Sequence, residues 1–422
     1  MKRAVPPYNT VQDVLELISN FYGDPALSRM PTQVMEANPK LGLILRLVSD
    51  LGGHLLPLWI ICSVISQVYP HRWFSRQTPN KIYCVSLTEN NRRAPQRIER
   101  EILNFDPDFQ INTSRLSWRG RLYLLRNSWR IARLVRGHAT STPFVMLNKI
   151  LALTSLHAFY FELKSPKPKL VLAANDHSPP TVGLFHAAKT LKIPSVYVQH
   201  GAVTEKFPPL YTDLALLLSE HAKDRYEKSA TRFGKSSKTI VRILPACEDT
   251  FTQIRPATAP LKVCVALSRF VDLTQLQELI EKLSSHKLVS EISIARHPRC
   301  TAQFPNLAKK ARILEKGSPI RSTASSSDLC LVANSGVALE FLRFGCPTFY
   351  MAPNDRYLDD YYGFCAAGIL PRFHLGLLDD PRALAEPFGN TWRIKASKFD
   401  PSFSNKNHSG QSAIVSDLEA LI

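Results

Sequence analysis

Apolar and polar positions change their rhythm near residue 80. Before it, "VQDVLELISNFY" and "LGLILRLVSDL" space apolar residues by three and four, which predicts helices and gives no strand signal. At "KIYCVSL" (81–87) the texture becomes strand-like, then leads through a polar loop into the helical "APQRIEREILNF". From Pro168 the alternation is plain: "KLVLAAND" reads as a buried strand, "PPTVGLFHAAKTLK" as a helix and "IPSVYVQHG" as the next strand. A strand, helix, strand run of this spacing has parallel strands, because the helix carries the crossover. Strand "TDLALLLSE" and helix "HAKDRYEKSATRFG" continue it, and the proline-bearing "LPACEDTFTQIRPATAPLK" predicts a linker.

The second half repeats the rhythm: strand "KVCVALSR", helix "LTQLQELIEKLSS", strand "EISIARHP", a polar segment, strand "SDLCLVANS", helix "GVALEFLRFG", strand "PTFYMA". The expectation is an α/β fold of two doubly wound, Rossmann-like domains facing a cleft. Its parts are a helical N-terminal extension (1–80), a first domain (81–245), a linker (246–260), a second domain (261–400) and a C-terminal tail or helix (401–422).

Composition narrows the partners. The chain has 422 residues, enough for two ordinary domains, and 53 Lys+Arg against 35 Asp+Glu leave it at +18. That charge favours a polyanion, an acidic membrane surface or anionic substrates. No zinc-finger spacing or RNA-binding aromatic motif is visible, so nucleic acid is not the expected partner. The eight cysteines are scattered, several within strand-like runs, as reduced buried thiols of a cytoplasmic protein would be. The start, "MKRAVPPYNTVQD", lacks the apolar core of a signal peptide.

Two stretches suggest peripheral attachment to the inner face of the cytoplasmic membrane. "HLLPLWIICSVISQVY" (54–69) contains a proline and falls short of the roughly 20 residues needed to span, so it reads as an interfacial segment or a buried helix. "SWRGRLYLLRNSWRIARLVRG" (117–137) is a basic amphipathic helix. Leu122, Leu125, Trp129 and Ala132 share a face, and arginines 119, 121, 126, 130, 133 and 136 occupy much of the rest.

Candidate chemistry gathers where strands stop: "NDHS" (175–178), "QHG" (199–201), "RHPR" (296–299) and "ANSG" (333–336). Ligands of open α/β sheets sit at those carboxyl ends. Asn334, Ser335 and Gly336 stand at a turn into a helix, where free N–H groups and the helix dipole suit a phosphate. Arg296, His297 and Pro298 approach from the neighbouring strand, Glu340 is a candidate for ribose hydroxyls, and Gln199 and Gly201 line the first domain's edge. Asp176, with His177 beside it and His200 at the next strand end, is placed to take a proton from an acceptor hydroxyl, and Glu205 is a further candidate. Aspartate at 176 also suits the N-cap of the helix starting near Pro179, and both readings stay open. The acidic pairs at 106–108 and 359–360 read as loop residues, and no metal site is expected.

Gln-His-Gly after a strand–helix–strand unit, His-Pro after a second-domain strand, and "SGVALEFLRFGCP" resemble the GT-B-fold glycosyltransferases of capsule and surface polysaccharide synthesis. The likeness is greatest to those using CMP-activated acids, the Kdo transferases and bacterial sialyl- and polysialyltransferases. The resemblance covers about residues 80–400 and implies His297, Ser335 and Gly336 as nucleotide-binding residues. It also implies a metal-independent transferase, without a cofactor beyond its nucleotide-sugar donor, acting on a surface polysaccharide or lipid-linked glycan. The acidic-acidic-glycine motif of the inverting sialyltransferases is absent, since the chain reads Asn175-Asp176-His177, which leaves the base and the stereochemistry open. CDP-glycerol and CDP-ribitol phosphotransferases share the His-Pro and serine-turn pattern and are the alternative. A polyanion-binding protein without catalysis is the more distant one.

Overall fold

Short, wholly apolar runs such as "LVLA", "LALL" and "LCLV" suit strands covered on both faces, and each forms a four-residue strand with every side chain buried. The computed structural model describes residues 5–24, 82–85, 89–105, 118–136, 142–245, 251–268, 271–297, 300, 303–304, 306–315, 317–351, 359–404 and 411–421. The 54–69 stretch, the acidic pair at 106–108 and Pro298 lie outside them.

In chain order the elements are α1 (Tyr8–Tyr22), β1 (Ile82–Val85), α2 (Glu89–Gln96), α3 (Glu99–Phe105), α4 (Trp118–Arg136), α5 (Pro143–Glu162), β2 (Leu170–Ala173), α6 (Pro179–Thr190), β3 (Ser195–Val198), β4 (Leu214–Leu217), α7 (Glu220–Arg232) and β5 (Ile240–Ile243). There follow β6 (Leu261–Ala266), α8 (Leu273–Ser284), β7 (Val289–Ala295), β8 (Arg312–Ile313), α9 (Ile320–Ser325), β9 (Leu329–Val332), α10 (Val337–Arg343), β10 (Thr348–Tyr350), α11 (Asn390–Phe399) and α12 (Gln411–Leu421). They fall into two compact units. One comprises Met1–His200, Glu205–Ala246 and His408–Ile422; the other comprises Gly201–Thr204 and Cys247–Asn407.

The first unit is built on a parallel sheet of order β1-β2-β3-β4-β5, advancing in chain order over its described strands. β5, whose "IVRI" is exposed at its first residue and half-buried beyond, carries little apolar signal and was not singled out in the sequence. Helix α5 packs against α6, α1 and α4. Among the described residues its Phe144–Glu162 portion alone is long and apolar enough to cross a membrane, but 78% of it is buried inside the protein, which makes it a core helix. Gly183 lets α6 lie directly on α5: a Cβ there would stand 2.5 Å from Leu156 N and 2.8 Å from Ala152 O. Helix α1, expected in an extension, instead packs on α5 and α6, and its buried Val14, Leu15, Ile18 and Phe21 make it part of this unit.

The second unit holds the order β10-β9-β6-β7-β8, again parallel. Here the chain starts in the middle, at β6, fills one side and then reverses to the other, so it is doubly wound with its switch point between β6 and β9. Residues expected to be a linker are folded onto this unit. Arg255 donates from its side chain to Ser325 O (2.8 Å), Ala324 O (2.6 Å) and Ser327 O (3.2 Å), while Ile254 and Ala257 enter the core. The expected C-terminal tail divides. Pro401–Phe403 are buried in the second unit, whereas α12 sends Ile414 and Leu418 into the first unit's core and ion-pairs Asp417 with Arg242 at 2.7 Å.

Candidate functional site

Strand β2 ends at Ala173, and the turn that follows is organised by Asn175. Its Oδ1 accepts hydrogen bonds from His177 N (3.1 Å) and Ser178 N (2.7 Å), an Asx turn that delivers the chain into α6. The N-cap of α6 is Ser178, without a capping side-chain bond, and the turn before it is made by Asn175, so Asp176 is not the cap. Asp176 instead points inward, 3% exposed, with both carboxylate oxygens engaged. Oδ1 lies 2.8 Å from His177 Nδ1, and Oδ2 accepts from the Tyr226 hydroxyl of α7 at 2.6 Å. Its backbone carbonyl accepts from the Tyr211 hydroxyl.

The hydroxyls around this carboxylate stay protonated. Burial, and after it the charge of Asp176, push the phenols of Tyr22, Tyr197, Tyr211 and Tyr226 above their ordinary value, so they act as donors. A carboxylate can only accept, so the hydrogen facing Asp176 sits on His177 Nδ1, and in the neutral tautomer this contact selects, Nε2 is the nitrogen with the lone pair. The imidazole is held between Phe207 (ring centroids 4.1 Å) and Phe21 of α1 (5.5 Å), while its side chain retains 23% exposure. A fixed tautomer, a locked ring and an open edge are what a general base needs. The sequence brought Asp176 and His177 into view as neighbours; that Asp176 orients and His177 faces outward is decided by the fold.

The remaining first-domain candidates have contacts of their own. Gln199 is buried, with its Oε1 accepting from Leu218 N at 2.8 Å, which ties the end of β3 to that of β4. His200 is half-buried after β3. Glu205 accepts from Arg225 of α7 at 2.8 Å in a partly exposed ion pair. Gly201 groups with the second unit.

In the second unit the switch point brings three strand ends side by side. Ala266 of β6 pairs with Val332 of β9 and with Ala295 of β7, so the residues just beyond them share one edge at about 4.8 Å per strand. Ser268, two residues past β6, is 3% exposed and its Oγ has no hydrogen-bond partner. Arg296, one residue past β7, is half-buried with its Nε buried and unpartnered. Polar atoms buried without partners at a switch point mark where a ligand's own polar groups would complete the bonding. Ser268 was missed in the sequence because "ALSR" read only as a strand's end; a serine after the first strand of a doubly wound unit is the signal that was available.

The remaining residues divide by role. Half-buried Ser335 and Gly336 lead into α10, and a Cβ on Gly336 would meet nothing nearer than Ala202 N at 4.0 Å. Asn334 is buried and structural, its Oδ1 accepting from Tyr361 N at 2.7 Å and its Nδ2 donating to the Tyr350 hydroxyl at 3.3 Å. His297 is half-buried after β7, and Glu340 is exposed on α10. Asp359 pairs with both terminal nitrogens of Arg372 (3.1 and 2.6 Å), a hydrogen-bonded contact that holds its carboxyl below the usual range, and Asp360 accepts from Cys365 N and Ala366 N. Both are turn residues. Among the described residues no group of three or more His, Cys, Asp or Glu is arranged to hold a metal ion.

No protein-family model matches the chain, and no curated protein matches it. Solved structures resemble it weakly. The glycosyltransferase SnogD from Streptomyces nogalater is 15% identical with a TM-score of 0.38 over 66% of this chain and 79% of that one. The calicheamicin glycosyltransferase CalG4 is 12% identical with a TM-score of 0.39, over 65% and 79% of the two chains. The UDP-N-acetylglucosamine 2-epimerase from Rickettsia bellii is 13% identical with a TM-score of 0.40, over 65% and 78%. At this level of overlap the likeness carries no argument about activity, which must come from the residues.

Proposed function

We propose that the chain is a metal-independent glycosyltransferase of GT-B type that moves a sugar from a nucleotide-linked donor to a saccharide or lipid-linked glycan. The observation that carries this reading is the buried Asp176 carboxylate holding Nδ1 of His177, so that Nε2 is the basic atom. His177 removes the acceptor hydroxyl's proton as the acceptor oxygen bonds to the anomeric carbon, and the carbon–oxygen bond to the donor phosphate breaks. The nucleotide leaves with that bond's electron pair. Its phosphate is held on the second unit by Ser268, Ser335 and the Gly336 backbone, with Arg296 and His297 supplying charge and hydrogen bonds.

The donor is a CMP-activated acid, Kdo or a sialic-acid-like nonulosonate, destined for capsule or lipopolysaccharide. That finer assignment rests on the Gln-His-Gly, His-Pro and Ser-Gly motifs. A thermal-shift panel of CMP, CDP, UDP and GDP tests it, because a ligand that binds only the folded state raises the melting temperature. Stabilisation by CMP, followed by turnover of CMP-sugars and not of CDP-polyols, is the expected result. Selective stabilisation by UDP or GDP overturns the donor, and loss of no turnover in His177→Ala overturns the base.

A further inference from the structure

Helix α4 has one buried stripe and one exposed one. Leu124, Ser128, Ile131 and Val135, at spacings of four, three and four, are buried with Ala132, and α4 packs there on α5. The opposite stripe, Leu122, Arg126, Trp129 and Arg133, also runs at four, three and four, and every one of its residues is exposed, as is the flanking Arg130. Trp129 is 60% and Leu122 40% exposed. The face sketched from the sequence is thus split, with Ala132 turned inward and Leu122 and Trp129 outward.

An exposed indole and leucine interleaved with three arginines, with no acidic residue anywhere in "WRGRLYLLRNSWRIARLVR", put apolar surface and unopposed positive charge on one face. An interface between water and anionic headgroups accommodates both. Indoles settle at headgroup level, leucine enters the acyl boundary, and each guanidinium reaches phosphate. The chain's excess of cationic side chains, 53 against 35, complements such a surface.

We propose that the Leu122–Arg126–Trp129–Arg133 stripe of α4 is a docking surface for a negatively charged phospholipid bilayer. None of its residues is among those assigned to sugar transfer, and the proposal stands independently of that reading. At roughly fivefold in partitioning per charge, neutralising three arginines loses about 100-fold at low salt, and reversing them loses more.

The test is sedimentation of the full chain with phosphatidylcholine vesicles, with and without phosphatidylglycerol. The wild type is expected to pellet with the anionic vesicles and to be released by salt. Trp129→Ala and the triple variant Arg126→Glu/Arg130→Glu/Arg133→Glu are expected to lose that binding with melting temperatures kept, since these side chains are exposed. A control with the same change in net charge on the second unit, Lys282→Glu/Lys287→Glu/Lys309→Glu, is expected to bind as the wild type does. Absence of preference for anionic vesicles overturns the proposal, as does equal loss in the control. Binding that ignores Trp129 and extends equally to a homopolymeric RNA overturns it in favour of a general polyanion site.

Discussion

Asp176→Asn separates the chemistry from the architecture at the first-unit site. Asparagine fills the same volume, and its Oδ1 still accepts from the Tyr226 hydroxyl now 2.6 Å from the carboxylate. Its Nδ2 then faces His177 Nδ1 across the 2.8 Å contact as a donor. Two donors cannot share that contact, so the imidazole gives up its Nδ1 hydrogen and carries it on Nε2. The base is thereby lost while the geometry survives. Exchanging a charged for a neutral acceptor in a buried bond costs about 1 kcal/mol, so the protein stays folded with a modestly lower melting point. Turnover should fall about 10³–10⁴-fold, as wrong-tautomer imidazoles do elsewhere, equivalent to roughly 4–5 kcal/mol of barrier. Nitrogen-15 NMR of His177 reads the tautomer directly, alongside turnover and CMP affinity, which should not change. Asn175→Ala is the control: it removes the turn's bonds to His177 N and Ser178 N, should cost about 1 kcal/mol, and leaves the tautomer alone. A tautomer switch with turnover within about threefold of wild type would refute the assignment of His177 as base.

The second unit makes a complementary prediction. Ser268→Ala removes a buried hydroxyl that has no partner, so stability should hold or rise slightly while nucleotide affinity falls; a destabilised variant with unchanged affinity would return Ser268 to the core. Gly336→Ala should fold normally, its nearest obstacle being 4.0 Å away, and weaken nucleotide binding by calorimetry. Gly183→Ala should do the reverse, costing about 1–3 kcal/mol in denaturant unfolding because backbone at 2.5 Å cannot yield cheaply, without altering nucleotide affinity per folded molecule. Finally, burial, with Arg130 beside His157 and Lys189 beside His186, holds both histidines near pKa 3 rather than the ordinary 6.5. Folded, they remain neutral while the unfolded chain takes up protons, so the stability they contribute is present above about pH 6.5 and is lost as pH falls towards 3, by up to about 1.4 kcal/mol per pH unit each. Unfolding at pH values between about 6.5 and 5 should show that slope, and glutamine at both positions should flatten it.

Much of the frame was legible along the chain. Strands β2, β4 and β9 announced themselves because a strand covered on both faces must be apolar at every position; β3, β6 and β7, which carry a serine, a lysine or a glutamate, showed through their alternation, and helices such as α6 filled the intervals between them. β5 and β8 went unnoticed for the same reason turned round: at a sheet's edge only part of the strand is covered, so "IVRI" and "RI" carry polar residues and no clean alternation. The expected linker was misread because prolines mark irregular backbone, and irregular backbone is not the same as unpacked backbone; Arg255 holds it down with carbonyl contacts from residues some 70 positions away.

For the site, the order of residue types along the chain set which of them stand at which strand ends. That follows from local periodicity alone and placed Asp176, His177, Arg296 and Ser335 on the carboxyl edges of parallel strands. Their roles depended on partners far away in the chain. Tyr226, 50 residues on, and Tyr211, 35 residues on, converge on Asp176 and turn it from a cap into the support of His177. Helix α1 supplies Phe21 against the imidazole from a segment the alternation could not connect to it. Likewise the order β10-β9-β6-β7-β8, and with it the switch point that isolates Ser268, is fixed by which strand pairs with which. Periodicity reports what each residue's immediate neighbours require, whereas a hydrogen bond between side chains is set by distances that exist only once the chain has folded.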